Sequence, residues 1–205
     1  MKLLTVVTSY RNRPEDLKRF DNDIHLQRAI DYLLVEQDNN GLFNTGKLHN
    51  IAVREAKTKF VLKKDIDCTM SLQSMKNLLK LLKKADDTFF MNIGIGGSKW
   101  GCQWCCSRET YLKVGGEPEW PGFFGEDYGI LCKLKKHLDP QFKLEYNERT
   151  LCRQIAEHIA RPMNREAEEK GIYMIHHDHP VRPKEELKQA SKNFDKLYQL
   201  CGKLW

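Results

Sequence analysis

The chain has 205 residues, a length that favours one domain over two very small ones. Its 40% hydrophobic and 30% charged content excludes a disordered chain, and no apolar run approaches the ~18 residues that span a bilayer. The net charge of +6, with a pI near 8.9, admits an anionic substrate such as a nucleotide. It admits nucleic acid too, but Lys and Arg are spread along the chain rather than gathered in a basic tract, so charge alone does not favour that partner.

The N-terminal "LLTVVTSY" is short, apolar and β-branched, and predicts a buried strand. It runs directly into Arg11 and Arg13 with no small-residue cleavage site, so it reads as structure rather than a signal peptide, and a cytoplasmic setting is expected. "RPEDLKRFDNDIHLQRAI" predicts a helix opened by a proline, and "DYLLVEQ" a second strand. "TGKLHNIAVREA" places Leu48, Ile51, Ala52 and Ala56 at helical spacing, and "KFVLKKDID" predicts a third strand. In "SLQSMKNLLKLLKKA", Leu72, Met75, Leu78, Leu79 and Leu82 fall on one side of an amphipathic helix, and "TFFMNIGI" predicts a fourth strand. Four alternations of strand and helix predict an α/β fold: one domain over 1–205, with a mostly parallel central sheet flanked by helices.

Residues 94–125 are rich in Gly and Trp and predict loops around a short helix, "SRETYLKV", capped by Ser107. Their tryptophans suit either a sugar or base platform or plugs of the core. The tail "RPKEELKQASKNFDKLYQLCGKLW" predicts a closing helix, with Leu187, Ala190, Phe194, Leu197 and Cys201 on its packed side. Seven cysteines, an odd number, predict reduced thiols. Cys102 and Cys105 form a CxxC without a second pair, so small buried residues in or near a strand are favoured over zinc. A zinc-stabilised binding protein using those thiols and the histidine cluster is a rival reading.

Ligands of parallel sheets bind beyond the carboxyl ends of the strands, and three polar clusters fall there: "TSYRNR", "EQDNNGLFNTGK" and "DID". Asp65 and Asp67, one residue apart at a strand end, share a side and suit Mg²⁺ or Mn²⁺, though many strands end in two acids. In "FFGEDYG", Glu126 and Asp127 stand at the start of a helix, where acids favour the macrodipole and where a general base could also sit. "YMIHHDH" packs His176, His177 and His179 into four positions, a density that leans toward a metal and toward Mn²⁺.

Taken in order, "YRNRPEDLKRF", "LFNTGKLHNIAVREA", "KKDIDCTM", "YLKVGGEPEWPGFFGEDYGI" and "YMIHHDH" resemble the β-1,4-galactosyltransferase family of GT-A glycosyltransferases and its soluble bacterial or viral relatives. The likeness runs from about Leu4 to His179. It implies a GT-A-like fold and an inverting, metal-dependent transfer of a hexose from a UDP-sugar to a glycan hydroxyl. Arg11, Arg13, Phe43 and Lys47 would meet the nucleotide, and Asp65 the ribose and donor sugar. Asp67, Met174 and His177 would bind Mn²⁺, with Mg²⁺ as second choice and His179 able to replace or supplement His177. Asp127 would be the base, and Glu126 would bind the acceptor or orient the site. The family's acidic run after the Glu-Asp pair is here Tyr128 and Gly129, its preceding Trp is Phe123, and an Arg after "FN" is Thr45. Donor chemistry is thus kept while the acceptor pocket differs; a nucleic-acid base is the rival acceptor, suggested by the +6 charge alone.

Overall fold

The computed structural model describes residues 2–22, 29–37, 41–96, 103–122, 124–177 and 184–205, without the side chains of Phe20, Asp21, Asn22, Glu186 and Leu187. Strand β1 (Leu4–Tyr10) leads to α1 (Pro14–Asn22), β2 (Ile30–Glu36), α2 (Thr45–Glu55) and β3 (Phe60–Lys63). A two-residue strand β4 (Cys68–Thr69) precedes α3 (Leu72–Leu82), β5 (Phe90–Ile93), β6 (Gln103–Ser107) and α4 (Arg108–Lys113). The remainder comprises α5 (Glu126–Leu138), α6 (Leu151–Ile155), a π-helical turn (Ala156–Ala160), α7 (Arg161–Glu169), β7 (Ile175–His176) and the long α8 (Lys184–Leu204).

The main sheet has the order β2-β1-β3-β6-β5. β1 pairs parallel with β2 and β3, whereas β6 runs antiparallel to both β3 and β5, so four of five strands share one direction. This is the mostly parallel α/β sheet that the alternation predicts. Several boundaries differ from the sequence reading. β3 ends at Lys63, so Asp65 and Asp67 lie in the turn beyond it rather than alternating on the strand. The helices over 151–169 have no counterpart in that reading. Ile30, expected to close the first helix, opens β2 opposite Leu4. The glycine- and tryptophan-rich middle, expected as loop, contributes β6. All five β6 residues are buried, so the strand shows no polar alternation by which periodicity could have found it.

Alternation along the strands divides the core between the two faces of the sheet. Leu4, Val6, Phe60, Leu62, Met91, Ile93 and Cys105 face α3 and α7, with Met75, Leu78 and Ala167. Val7, Val61, Trp104 and Cys106 face α2, α5 and α8, with Val53, Ile130, Leu134 and Leu197. The predicted cap forms, with Ser107 accepting from Thr110 N at the start of α4, and Ser71 caps α3 in the same way by accepting from Ser74 N. The closing helix packs Leu197 and Cys201 into the core as expected, while the side chain of Leu187 lies outside the described residues. Trp104 is fully buried and stacks on Tyr111 at 4.8 Å, so this tryptophan is core rather than platform.

One close approach fixes the loop that carries the site. A Cβ on Gly46, in the first turn of α2, would overlap the carbonyl oxygen of Pro118. Alanine favours helix over glycine by ~1 kcal/mol, but a clash with backbone cannot be relieved by a rotamer change. Gly46→Ala is expected to cost about 2 kcal/mol net and to lower Tm by about 5 °C, as read by thermal unfolding.

Candidate active site

The carboxyl ends of β1 and β3, together with the start of α5, gather most of the predicted site residues. After β3 the chain turns sharply, with Cys68 N donating to Asp65 O at 3.0 Å. That turn places Asp65, Asp67 and Cys68 so that one ligand atom from each lies within 4.8 Å of the others. Cys68 was not singled out in sequence. Burial raises its thiol pKa, so it stands protonated, and its Sγ lies 3.7 Å from Asp67 Oδ1. The two carboxylates of this group suit Mg²⁺ or Mn²⁺; the protonated thiol adds little to such an ion, and the His177 imidazole does not belong to the group.

β4 pairs antiparallel with β7, matching Cys68 with His176 and Thr69 with Ile175. His177 N donates to Asp67 O at 2.8 Å, and its Nε2 lies 2.9 Å from Thr69 Oγ1. The structure therefore brings Asp67 and His177 together across a ribbon closed by residues more than 100 positions apart. His176 is exposed on the neighbouring position, and His179 lies outside the described residues. Met174 is fully buried, in the apolar cluster that also contains Cys68, Met70, Met75 and Ile172.

On the nucleotide side, the Arg11 guanidinium sits 5.5 Å from the centroid of the Phe43 ring and donates to Gly41 O. Gly122 N donates to Phe43 O at 2.8 Å, which ties this aromatic to the loop before α5. Arg13 pairs with Asp16 at 3.5 Å, and Lys47 is exposed on the first turn of α2.

Asp65 is held from two sides. Gln103 on β6 donates from Nε2 to Asp65 Oδ2 at 2.6 Å and accepts from Asp65 N at 2.8 Å, while Lys63 Nζ lies 2.8 Å from Oδ1. Burial opposes the charged form of Asp65, but the Lys63 cation and these hydrogen bonds outweigh it and bring the carboxyl down to about 2. The same ammonium lies 3.0 Å from Asp127 Oδ1, so Asp65 and Asp127 meet at one nitrogen. Burial pushes Asp127 up; Lys63 opposes this, Glu117 and Asp65 add to it, and the balance stands at about 6. Its side chain stays 27% exposed, open enough to meet a substrate.

Glu126 is more enclosed. Gly125 before it adopts φ 99°, the left-handed conformation that turns the chain into α5. Glu126 Oε2 is buried without a hydrogen-bond partner. Burial, followed by the charges of Asp127 and Glu117, raises Glu126 to about 8, so at neutral pH it is a protonated acid able to donate. As pH rises from the ordinary glutamate value of 4.5 toward 8, the unfolded chain releases this proton and the folded chain keeps it, so stability falls across that window. Glu126→Gln removes the loss. Urea unfolding is expected to show little difference at pH 5 and a variant more stable by about 2 kcal/mol at pH 8.

Beneath these acids lies a network that no motif announced. Glu117 is buried and accepts from Trp104 Nε1 at 2.6 Å, with His49 Nδ1 2.9 Å from its other oxygen. His49 Nε2 in turn lies 3.0 Å from Ser9 Oγ, at the end of β1. Asn50 Oδ1 accepts from Glu117 N and from Tyr111 OH, so α2, α4 and the 117–125 loop are locked together.

The fold has known counterparts. Glucosyl-3-phosphoglycerate synthase from Mycobacterium tuberculosis, in complex with Mn²⁺, UDP and glucosyl-3-phosphoglycerate, superposes with a TM-score of 0.61 at 12% identity, over 98% of this chain and 80% of that one. A mannosyltransferase from Pyrobaculum calidifontis, in complex with GDP-Man and Mn²⁺, gives 0.52 at 13% identity, over 98% and 73%. The catalytic domain of Drosophila β1,4-galactosyltransferase 7, in complex with xylobiose, gives 0.53 at 17% identity, over 65% of this chain and 60% of that one. No family model and no curated protein matches the sequence. The chain has the GT-A glycosyltransferase fold, as the resemblance implied. Among the described residues, no helix is long and apolar enough to cross a membrane.

Proposed function

We propose that the chain is a metal-dependent, inverting glycosyltransferase that moves a sugar from a UDP-sugar to a glycan hydroxyl. The observation that carries this reading is the convergence of Asp65, Asp67 and Asp127 at the carboxyl edge of a GT-A sheet, with Asp65 and Asp127 sharing the Lys63 ammonium. Solved structures of this fold that hold Mn²⁺ with UDP or with GDP-Man support nucleotide-sugar chemistry, and the motif likeness favours UDP.

Asp67 would hold the divalent cation with His177 and Met174, and Cys68 and Asp65 stand within reach of the same position. When bound, such a cation supplies fixed positive charge against the departing diphosphate. Arg11 and Phe43 receive the nucleotide, the first by charge and the second by its ring face, with Arg13 and Lys47 at the rim. Asp65, ionised across the neutral range, accepts hydrogen bonds from the ribose or donor sugar. Asp127 takes the proton of the acceptor hydroxyl as that oxygen attacks the anomeric carbon from the side opposite the leaving diphosphate. One base and one displacement invert the anomeric centre, with no carboxylate nucleophile required. Glu126, protonated, donates to the acceptor or orients it.

The test is a screen of UDP-sugars and GDP-sugars for Mn²⁺-dependent hydrolysis or transfer, with nucleotide binding followed by calorimetry. Turnover of a UDP-sugar, lost on chelation, is expected. Absence of both turnover and nucleotide binding across the panel would overturn the reading.

A further inference from the structure

Lys63 is the last residue of β3, and strand alternation puts it on the same face as Val61, toward α2 and α5. That position is otherwise part of the core: the residue is 1% exposed. A lysine there costs desolvation, and burial does oppose its charge; Asp127, Asp65 and Glu117 outweigh it and hold the pKa well above the usual lysine value. The ammonium is therefore charged, and it is the cation that faces the carboxylates of Asp65, after β3, and Asp127, on α5. Glu117, from the loop after α4, acts on both Lys63 and Asp127, His49 on α2 acts on Asp65, and Glu126 feels both Asp127 and Lys63.

Asp65 is assigned to the donor and Asp127 to the acceptor. They come from separate segments of the chain, and both carboxylates lie at Nζ of Lys63, at 2.8 Å and 3.0 Å. A three-donor ammonium on a packed stem can hold two carboxylates at fixed separation, whereas two acids alone would repel and move apart.

We propose that Lys63 is a positioning residue of the transferase site, whose ammonium fixes the base Asp127 relative to the donor-side Asp65, so that the base faces the anomeric carbon of a bound sugar nucleotide. This rests on the transferase reading given above. It assigns Lys63 no contact with the reacting atoms. Its effect passes through the two carboxylates, and it accounts for a buried cation at a position where the rest of the strand is apolar.

The experiment compares wild type with Lys63→Met, which keeps the length of the side chain and removes the charge, and with Lys63→Arg, which keeps the charge and displaces the carboxylates. UDP binding stoichiometry with Mn²⁺ reports the folded, donor-competent fraction of each. With stoichiometry unchanged, kcat per binding site is expected to fall by about 100-fold in Lys63→Met and about tenfold in Lys63→Arg, with donor KM changed much less. The acidic limb of the kcat profile should move to higher pH in Lys63→Met, because Asp127 loses the charge that favours its ionised form, and a purely structural lysine would leave that limb in place. Wild-type kcat per site in either folded variant overturns the proposal, as does loss of folding in both, which would make Lys63 a core residue only. If wild type itself neither binds UDP nor turns over any sugar nucleotide, the transferase reading falls and takes this inference with it. An active wild type with unaffected variants removes the inference alone.

Discussion

Asp127→Asn is expected to lower transfer by about 1,000-fold while leaving Mn²⁺-dependent UDP binding unchanged. The size follows from the work assigned to the residue. An acceptor hydroxyl is a poor nucleophile until its proton leaves, and a positioned carboxylate supplies 10²- to 10⁴-fold of the rate in such steps. The structure tunes this carboxylate for the task. Its pKa of about 6 lies well above the ordinary aspartate value of 3.8, so it holds a proton better than a surface acid and is still ionised at neutral pH. Wild-type kcat/KM should accordingly rise with pH through about 6 and level off above it. Asparagine keeps the shape and an oxygen for Lys63 to approach, and Asp65 remains as the ammonium's charged partner, so the variant should fold and bind donor normally. A fully active Asp127→Asn enzyme would show the base to be elsewhere. A variant that lost UDP binding in parallel with turnover would place Asp127 on the donor side.

Much of this site was legible in the sequence because its parts lie on short motifs at strand ends. Asp65 and Asp67 follow β3 and Arg11 follows β1, so period and punctuation set these at one edge of the sheet, whereas Glu126 and Asp127 read only as the start of a helix and joined the site through the family resemblance. That Asp67 and His177 lie near each other is implied by the resemblance alone; the ribbon that joins their segments is not legible in the sequence, because nothing local to either shows a two-residue strand. What stayed hidden is the layer below. Lys63 reads as one more lysine in "LKKD", and only the alternation of β3 with the packing of α5 reveals that it points inward. His49 and Glu117 are 68 residues apart, and each alone looks like a polar residue on a helix or in a loop. Gln103, which grips Asp65, sits on the strand that burial on both faces concealed. Surface chemistry leaves a mark on sequence through turns and caps, whereas buried polar contacts between distant segments leave none until the topology is known.

Asp67→Ala is the second large effect expected, and it falls on the donor rather than the base. Asp67 is 8% exposed, and its backbone is fixed by the turn from Asp65 and by His177 N across the ribbon, so its carboxylate has little freedom to be replaced by a neighbour. If that carboxylate holds the cation, removing it should abolish the difference between UDP affinity with Mn²⁺ and with chelator, a loss of at least about 100-fold in the metal-dependent part, since a missing ligand costs more than the 10- to 100-fold of a missing outer partner. The fold should survive, because the turn is held by backbone bonds that alanine retains. His177→Ala should cost less than Asp67→Ala, because the imidazole is already engaged with Thr69 Oγ1 and contributes one neutral donor rather than a charge. Met174→Leu separates the two roles open to that thioether. A ligand would lose Mn²⁺ affinity on substitution, whereas a residue serving the cluster of Cys68, Met70 and Met75 would keep it, because leucine fills nearly the same volume. Calorimetric titration of Mn²⁺ and UDP into the three variants decides among these outcomes, and an Asp67→Ala protein that still binds UDP more tightly with Mn²⁺ than without it would move the metal away from the turn after β3.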